Sequence, residues 1–130
     1  MKPIQVLLVD DEPNILRGLR MRLGLEADIH VVGEAADGST AVDMASRLSP
    51  DVVLMDVNMP VMDGIAATRE LATRAPDSMV VILSMHDDHD TADRALAAGA
   101  VAFVAKQRMD GTLLAAIRKA AQGRKGATID

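Results

Sequence analysis

The stretch DVVLMDVNMPVMDG, residues 51–64, sets four successive apolar residues before an acid and then runs through turn-forming residues to Asp63 and Gly64. An unbroken apolar run of strand length suits a strand covered on both faces, the habit of parallel sheets with helices on each side. MVVILS (79–84) has the same character, and IQVLLVD (4–10) and VAFVAK (101–106) repeat it with an ionisable residue at the end. HVVGEA (30–35) is the most polar of these five runs and belongs at a sheet edge.

The intervening segments change period. Ile15, Leu16, Leu19 and Leu23, then Ala41, Val42, Ala45 and Leu48, then Ile65, Thr68, Leu71 and Ala72 recur at helical spacing. Ala92, Ala95 and Leu96 continue the rule up to Gly99, and Leu113, Leu114, Ile117, Ala120 and Ala121 form a last apolar stripe. Strict alternation of strand and helix predicts an α/β fold: a flavodoxin-like (βα)5 three-layer sandwich on a parallel five-stranded sheet of order 2-1-3-4-5. Pro13 suits a helical first turn, while Pro50, Pro60 and Pro76 fall between periodic segments. Residues 1–122 make one expected domain, and GRKGATID (123–130) loses periodicity as a linker or tail.

Composition narrows the function classes. A chain of 130 residues fits one domain, and 49% apolar content is ordinary for a globular core. No apolar run approaches the roughly 18 residues of a membrane span, and Met1-Lys2-Pro3 leads straight into a strand without a secretory h-region. With no cysteine, disulfides and thiolate chemistry drop out, and the cytoplasm is the expected location. A formal charge of −5 argues against a non-specific grip on nucleic acid.

In an open α/β sheet, ligands bind beyond the carboxyl ends of the strands. The first strand delivers Asp10 and Asp11 there, the third Asp56, the fourth Ser84 and the fifth Lys106. Three carboxylates crowded on one rim are tolerable beside a divalent cation, and hard oxygen ligands suit Mg²⁺ or Mn²⁺. About −3 from the acids against about +3 from Mg²⁺ and Lys106 leaves a site able to recruit an anion. Plainer alternatives stand beside this reading: a solvated acidic helix start for Asp10–Glu12, which is preferred for Glu12, a cap or turn for Asp56 and Ser84, a surface position for Lys106. Asp63 and Gly64 read as the opening of the next helix.

These residues resemble the receiver domain of bacterial two-component response regulators over roughly residues 4–122. The resemblance rests on the acidic pair of VLLVDDEP, on MDVNMPVMDG around Asp56, on Ser84 in VILSM and on Lys106 in GAVAFVAK. It implies that Asp56 is the phosphoacceptor, receiving a phosphoryl group from a sensor histidine kinase as an acyl phosphate. It implies Mg²⁺ bound by the Asp11 and Asp56 side chains and the Asn58 backbone carbonyl, with Asp10 acting through water. Lys106 and Ser84 would contact phosphoryl oxygens, Phe103 would be the aromatic that follows Ser84, and the fourth helix, fifth strand and fifth helix would form the responding face. A homodimer formed on phosphorylation is a further expectation.

Some positions depart from the family pattern. Gln107 follows Lys106 where many receivers have proline, so Lys106 is expected to be less rigidly set. Phe103 replaces the commoner tyrosine and, without a phenolic hydroxyl, has less reason to face solvent. LSMHDD (83–88) resembles the subfamily that usually carries a C-terminal helix-turn-helix, and His86 is a candidate for tuning phosphoryl lifetime, the alternative being an exposed loop histidine. Residues 123–130 are too few for such a domain, so the chain is expected to be the receiver part of a transcription regulator in preference to a stand-alone receiver, reaching DNA only through a domain missing here.

The competing enzyme reading is a Mg²⁺-dependent phosphohydrolase with Asp56 as nucleophile; that class needs a second acid two residues on, where this chain has Asn58. A calcium loop fails because Pro60 and Val61 occupy positions that require a ligand and a glycine. Neither phosphate-cradling glycine motif, GxxxxGK[ST] or GxGxxG, occurs.

Overall fold

The computed structural model describes residues 2–85, 89–107 and 111–123. Five strands and five helices alternate without exception: β1 Ile4–Val9, α1 Pro13–Leu23, β2 Ile29–Ala35, α2 Gly38–Leu48, β3 Val52–Met55, α3 Gly64–Arg74, β4 Met79–Ser84, α4 His89–Ala98, β5 Ala102–Ala105 and α5 Gly111–Gln122. The strands form one parallel sheet in the order β2-β1-β3-β4-β5. The expected topology and the edge position of HVVGEA are both found.

Side chains alternate across each strand, and the alternation sorts the core into two layers. Leu7, Val9, Val53, Met55, Val80 and Ile82 pack against α2, α3 and α4, while Val6, Leu8, Val52, Leu54, Val81 and Leu83 pack against α1 and α5. Both faces of the central strands are therefore dry, which explains why VVLM and MVVIL carry no polar interruption. Each fully buried Leu, Ile or Val contributes about 1.5–3 kcal/mol from removal of apolar surface.

Local chemistry sets the element ends. Asp37 and Asp63 cap α2 and α3 by accepting the Thr40 and Ala66 N–H groups, each at 2.8 Å. Pro13 occupies the first turn of α1, where a missing N–H costs nothing. Gly99, with φ +120°, ends α4 in a conformation closed to other residues at low cost. On edge strand β2 the register slips between Val6–Val31 and Leu7–Gly33, so β2 carries one extra residue as a bulge.

At the amino ends of the strands two polar ties hold the layers. The Gln5 N–H donates to Asp51 Oδ2 at 2.8 Å, and the Ser78 hydroxyl donates to the Pro50 carbonyl at 2.6 Å. Arg118 on α5 reaches both Asp28, at 2.8 and 2.9 Å, and Glu26, at 2.7 Å, fastening the last helix to the turn before β2.

Candidate phosphoacceptor cleft

Parallel register brings the acids together. Val9 pairs with Met55, so Asp10 and Asp56 both stand one residue beyond a paired position, with the Asp56 N–H still donating to the Val9 carbonyl at 3.0 Å. Ser84 pairs with Ala105, and the Lys106 N–H donates to the Ser84 carbonyl at 2.7 Å. Four neighbouring strands thus end at one rim with Asp10, Asp56, Ser84 and Lys106 at their tips.

Asp10, Asp11 and Asp56 each offer a carboxylate oxygen within 4.8 Å of the others. Asp10 is 1% exposed and has both oxygens engaged: Oδ1 accepts the Glu12 N–H at 2.9 Å, and Oδ2 lies 2.8 Å from Lys106 Nζ. Lys106 Nζ is also 3.3 Å from Asp56 Oδ1, and both side chains are buried. No proline stands beside Lys106, and two carboxylates engage its ammonium. Asp11 is exposed and, with Glu12, Asp56, Asn58, Met85 and Lys106, lines a cleft of about 310 Å³.

Burial raises the Asp56 carboxyl above the ordinary aspartate value, the neighbouring Asp10 charge adds to the rise, and Lys106 and the Val57 N–H only partly offset it. For Lys106, burial opposes the charged form, but the Asp10 hydrogen bond and the charges of Asp56 and Asp10 outweigh it and leave the ammonium harder to deprotonate than usual. One buried cation thus faces three acids, and a negative charge is left over. Three clustered carboxylates, a set of hard oxygen donors whose charge the one ammonium only partly offsets, fit a small divalent cation.

Ser84 is 2% exposed at the end of β4. Phe103, paired with Ile82, is half-buried against the layer formed with α2, α3 and α4. Asn58 is exposed at the cleft wall. His86 lies outside the described residues. Two cleft residues escaped the sequence reading as contributors: Glu12, assigned there to a solvated helix start, and Met85, whose adjacency to Ser84 at a strand end was the available signal.

The sequence matches the family model described as the response regulator receiver domain over residues 6–118. Among curated relatives, the transcriptional regulatory protein DegU of Brevibacillus brevis is 38% identical over 120 residues, covering 92% of this chain and 51% of that protein. The nitrate/nitrite response regulator protein NarP of Escherichia coli is 38% identical over 123 residues, 95% of this chain and 57% of that one. A protein-glutamate methylesterase/protein-glutamine glutaminase of Methanospirillum hungatei is 42% identical over 105 residues, 79% of this chain and 30% of that protein. This chain therefore spans about half or less of the length of these relatives. The signal receiver domain of the putative response regulator NarL from Mycobacterium tuberculosis superposes with a TM-score of 0.90 at 32% identity, covering 95% of this chain and all of that domain. No helix among the described residues is long and apolar enough to cross a membrane. With the five-stranded parallel fold and the acid–lysine rim in place, the match over residues 6–118 makes this chain a member of the response regulator receiver domain family.

Proposed function

We propose that the chain is a phosphorylation-operated switch in which Asp56 accepts a phosphoryl group from a phosphohistidine of a sensor histidine kinase in the cytoplasm. The observation that carries the proposal is the buried Asp56 carboxylate, made more basic by burial and by Asp10, standing 3.3 Å from Lys106 Nζ at an open cleft. An Asp56 oxygen attacks phosphorus, the P–N bond breaks, and the imidazole leaves with the electron pair and takes a proton. The product is an acyl phosphate on Asp56 and a neutral histidine on the donor.

Asp11, Asp56 and the Asn58 carbonyl are the groups that would hold Mg²⁺, with Asp10 behind them through water. Bound there, the ion supplies positive charge against the phosphoryl oxygens and Asp56, in a reaction governed mainly by positioning and electrostatics. Lys106 exchanges its contact with Asp56 for one with a phosphoryl oxygen while keeping Asp10 as its anchor. The Ser84 hydroxyl donates to another phosphoryl oxygen, and Phe103 on the adjacent strand follows the displaced loop. Moving a two-state switch from 1:99 to 99:1 needs about 5.5 kcal/mol, and charge-assisted hydrogen bonds contribute about 1.5–3 kcal/mol each, so two or three such contacts suffice.

The domain spans residues 1–122, with 123–130 as a linker toward a DNA-binding part, and output is transcriptional. The transcriptional regulators among the relatives and the coverage of about half their length support this reading. The chain promotes its own phosphorylation and dephosphorylation and is not a turnover enzyme. Incubation with acetyl phosphate and Mg²⁺ is expected to add one phosphoryl group by intact mass, with none on Asp56→Asn or in the presence of chelator. Labelling that survives in Asp56→Asn would overturn the assignment, and rapid multiple turnover of small phosphomonoesters would point to a phosphohydrolase instead.

A further inference from the structure

Two glycines touch the acceptor loop through space that no side chain could share. A methyl carbon on Gly64 would overlap the Asp56 carbonyl oxygen and sit 3.0 Å from Val57 Cα; one on Gly38 would overlap the Met62 carbonyl oxygen and sit 3.0 Å from the Met62 carbonyl carbon and Cβ. Neither glycine has a positive φ, so what each position requires is room and not an unusual backbone conformation. The obstacles are mainly backbone atoms, which cannot rotate aside.

Gly64 closes its own loop, donating its N–H to the Val57 carbonyl at 2.8 Å. Gly38 acts from another element. It begins α2, and its N–H donates to the Met62 carbonyl at 3.1 Å, inside the loop that connects Asp56 to α3. Three residues earlier, the Ala35 carbonyl accepts the Asp10 N–H at 3.1 Å. The turn between them is fixed to α2 by the Asp37 side chain, which accepts the Thr40 N–H. One short turn therefore bonds both loops that carry the site's acids, yet none of its residues lines the cleft.

We infer that the Ala35–Gly38 turn braces the Asp10–Asp11 loop against the Asp56–Asn58 loop, and that Gly38 is a positioning residue of the phosphoacceptor site. A cation bound by Asp11 and Asp56 draws on both loops, so the spacing between them sets how well it is held. A side chain at position 38 pushes Met62 outward and carries the acceptor loop with it. The inference rests on the phosphoacceptor reading given above.

The test compares Gly38→Ala with Gly111→Ala, where a methyl group meets nothing within 4 Å. Binding of Mg²⁺ alone is measured by calorimetry well below the unfolding midpoint. Gly38→Ala is expected to weaken Mg²⁺ about tenfold, the size typical for groups that orient metal ligands, while Gly111→Ala matches the wild type. The Mg²⁺ concentration for half-maximal labelling by acetyl phosphate should rise in parallel, and the rate at saturating Mg²⁺ should hold, a split that general destabilisation does not produce. Wild-type affinity in Gly38→Ala overturns the brace and leaves the phosphoacceptor assignment standing. A wild type that neither binds Mg²⁺ nor becomes labelled overturns that assignment and the brace together. If Gly38→Ala does not fold, Mg²⁺ titration of the wild type followed by amide NMR decides: the Gly38 amide must shift in step with Asp11 and Asp56 while Gly111 stays still, and a silent Gly38 amide ends the proposal.

Discussion

Lys106 is the residue on which the charge balance of the cleft depends. Its ammonium lies between Asp10 and Asp56, and removing one side of a buried pair leaves the partners' charge unanswered. Lys106→Met is expected to lower stability by about 3 kcal/mol, the low end for such a loss because the cleft is open to water; urea unfolding followed by circular dichroism checks it. Because its folded-state pKa is raised, the lysine's contribution is complete below the ordinary lysine value and fades as pH climbs through the folded one. Asp56 has the opposite effect. With a raised pKa in the fold, its ionised form is penalised at neutral pH, and the penalty shrinks as pH falls below the folded value and is gone below the unfolded one. Without metal, Asp56→Asn should therefore unfold at higher urea than the wild type at pH 7, with the gap closing in acid. Val61 offers a third test. It is β-branched, 85% exposed and held at φ +69°, so Val61→Gly should raise stability by roughly 1 kcal/mol through relief of backbone strain.

At the level of elements, β3 combines stability with aim. Leu54, 1% exposed beneath α1 and α5, stands two residues before Asp56, and Leu54→Ala should cost about 2–5 kcal/mol by creating a cavity. The α5 clamp behaves differently because it is solvent-exposed. Arg118 holds the Glu26 and Asp28 carboxyls below their usual range, chiefly through side-chain hydrogen bonds, so its contribution is present above the unfolded carboxylate values and is lost as pH falls through the folded ones. Arg118→Ala should lower the thermal midpoint modestly at neutral pH and low salt, and the difference from wild type should start to shrink as pH falls below about 4, be gone once pH is below the folded carboxyl values, and weaken in high salt. The central strands were legible because burial on two faces writes an unbroken apolar run, and the edge position of β2 because HVVGEA is broken by polar residues. The clamp was not, because it joins residues 90 and 92 positions apart. The same holds within the cleft. Strand-end acids and Lys106 could be collected from topology, whereas the double engagement of Asp10, the presence of Met85 and the spatial demand at Gly38 depend on register and on close approach between loops that no periodicity encodes.

For the molecule as a whole, the two core layers separate the helices into unequal groups, α1 and α5 on one face and α2, α3 and α4 on the other. Half-buried Phe103 lies in the second layer, and the site rim stands at the carboxyl end of the sheet between the two. A ligand that binds only the folded state stabilises it by about 2.7 kcal/mol at one hundred times its dissociation constant. Saturating Mg²⁺ should accordingly raise the wild-type thermal midpoint, and raise it far less in Asp56→Asn, as scanning calorimetry can show. The bulge in β2 has a consequence at this scale too. A straight outer margin would present an even row of amides and carbonyls on which a foreign peptide could crystallise, whereas an extra residue at Val32 throws that row out of step. On this flank the broken register works against fibrous stacking by strand addition.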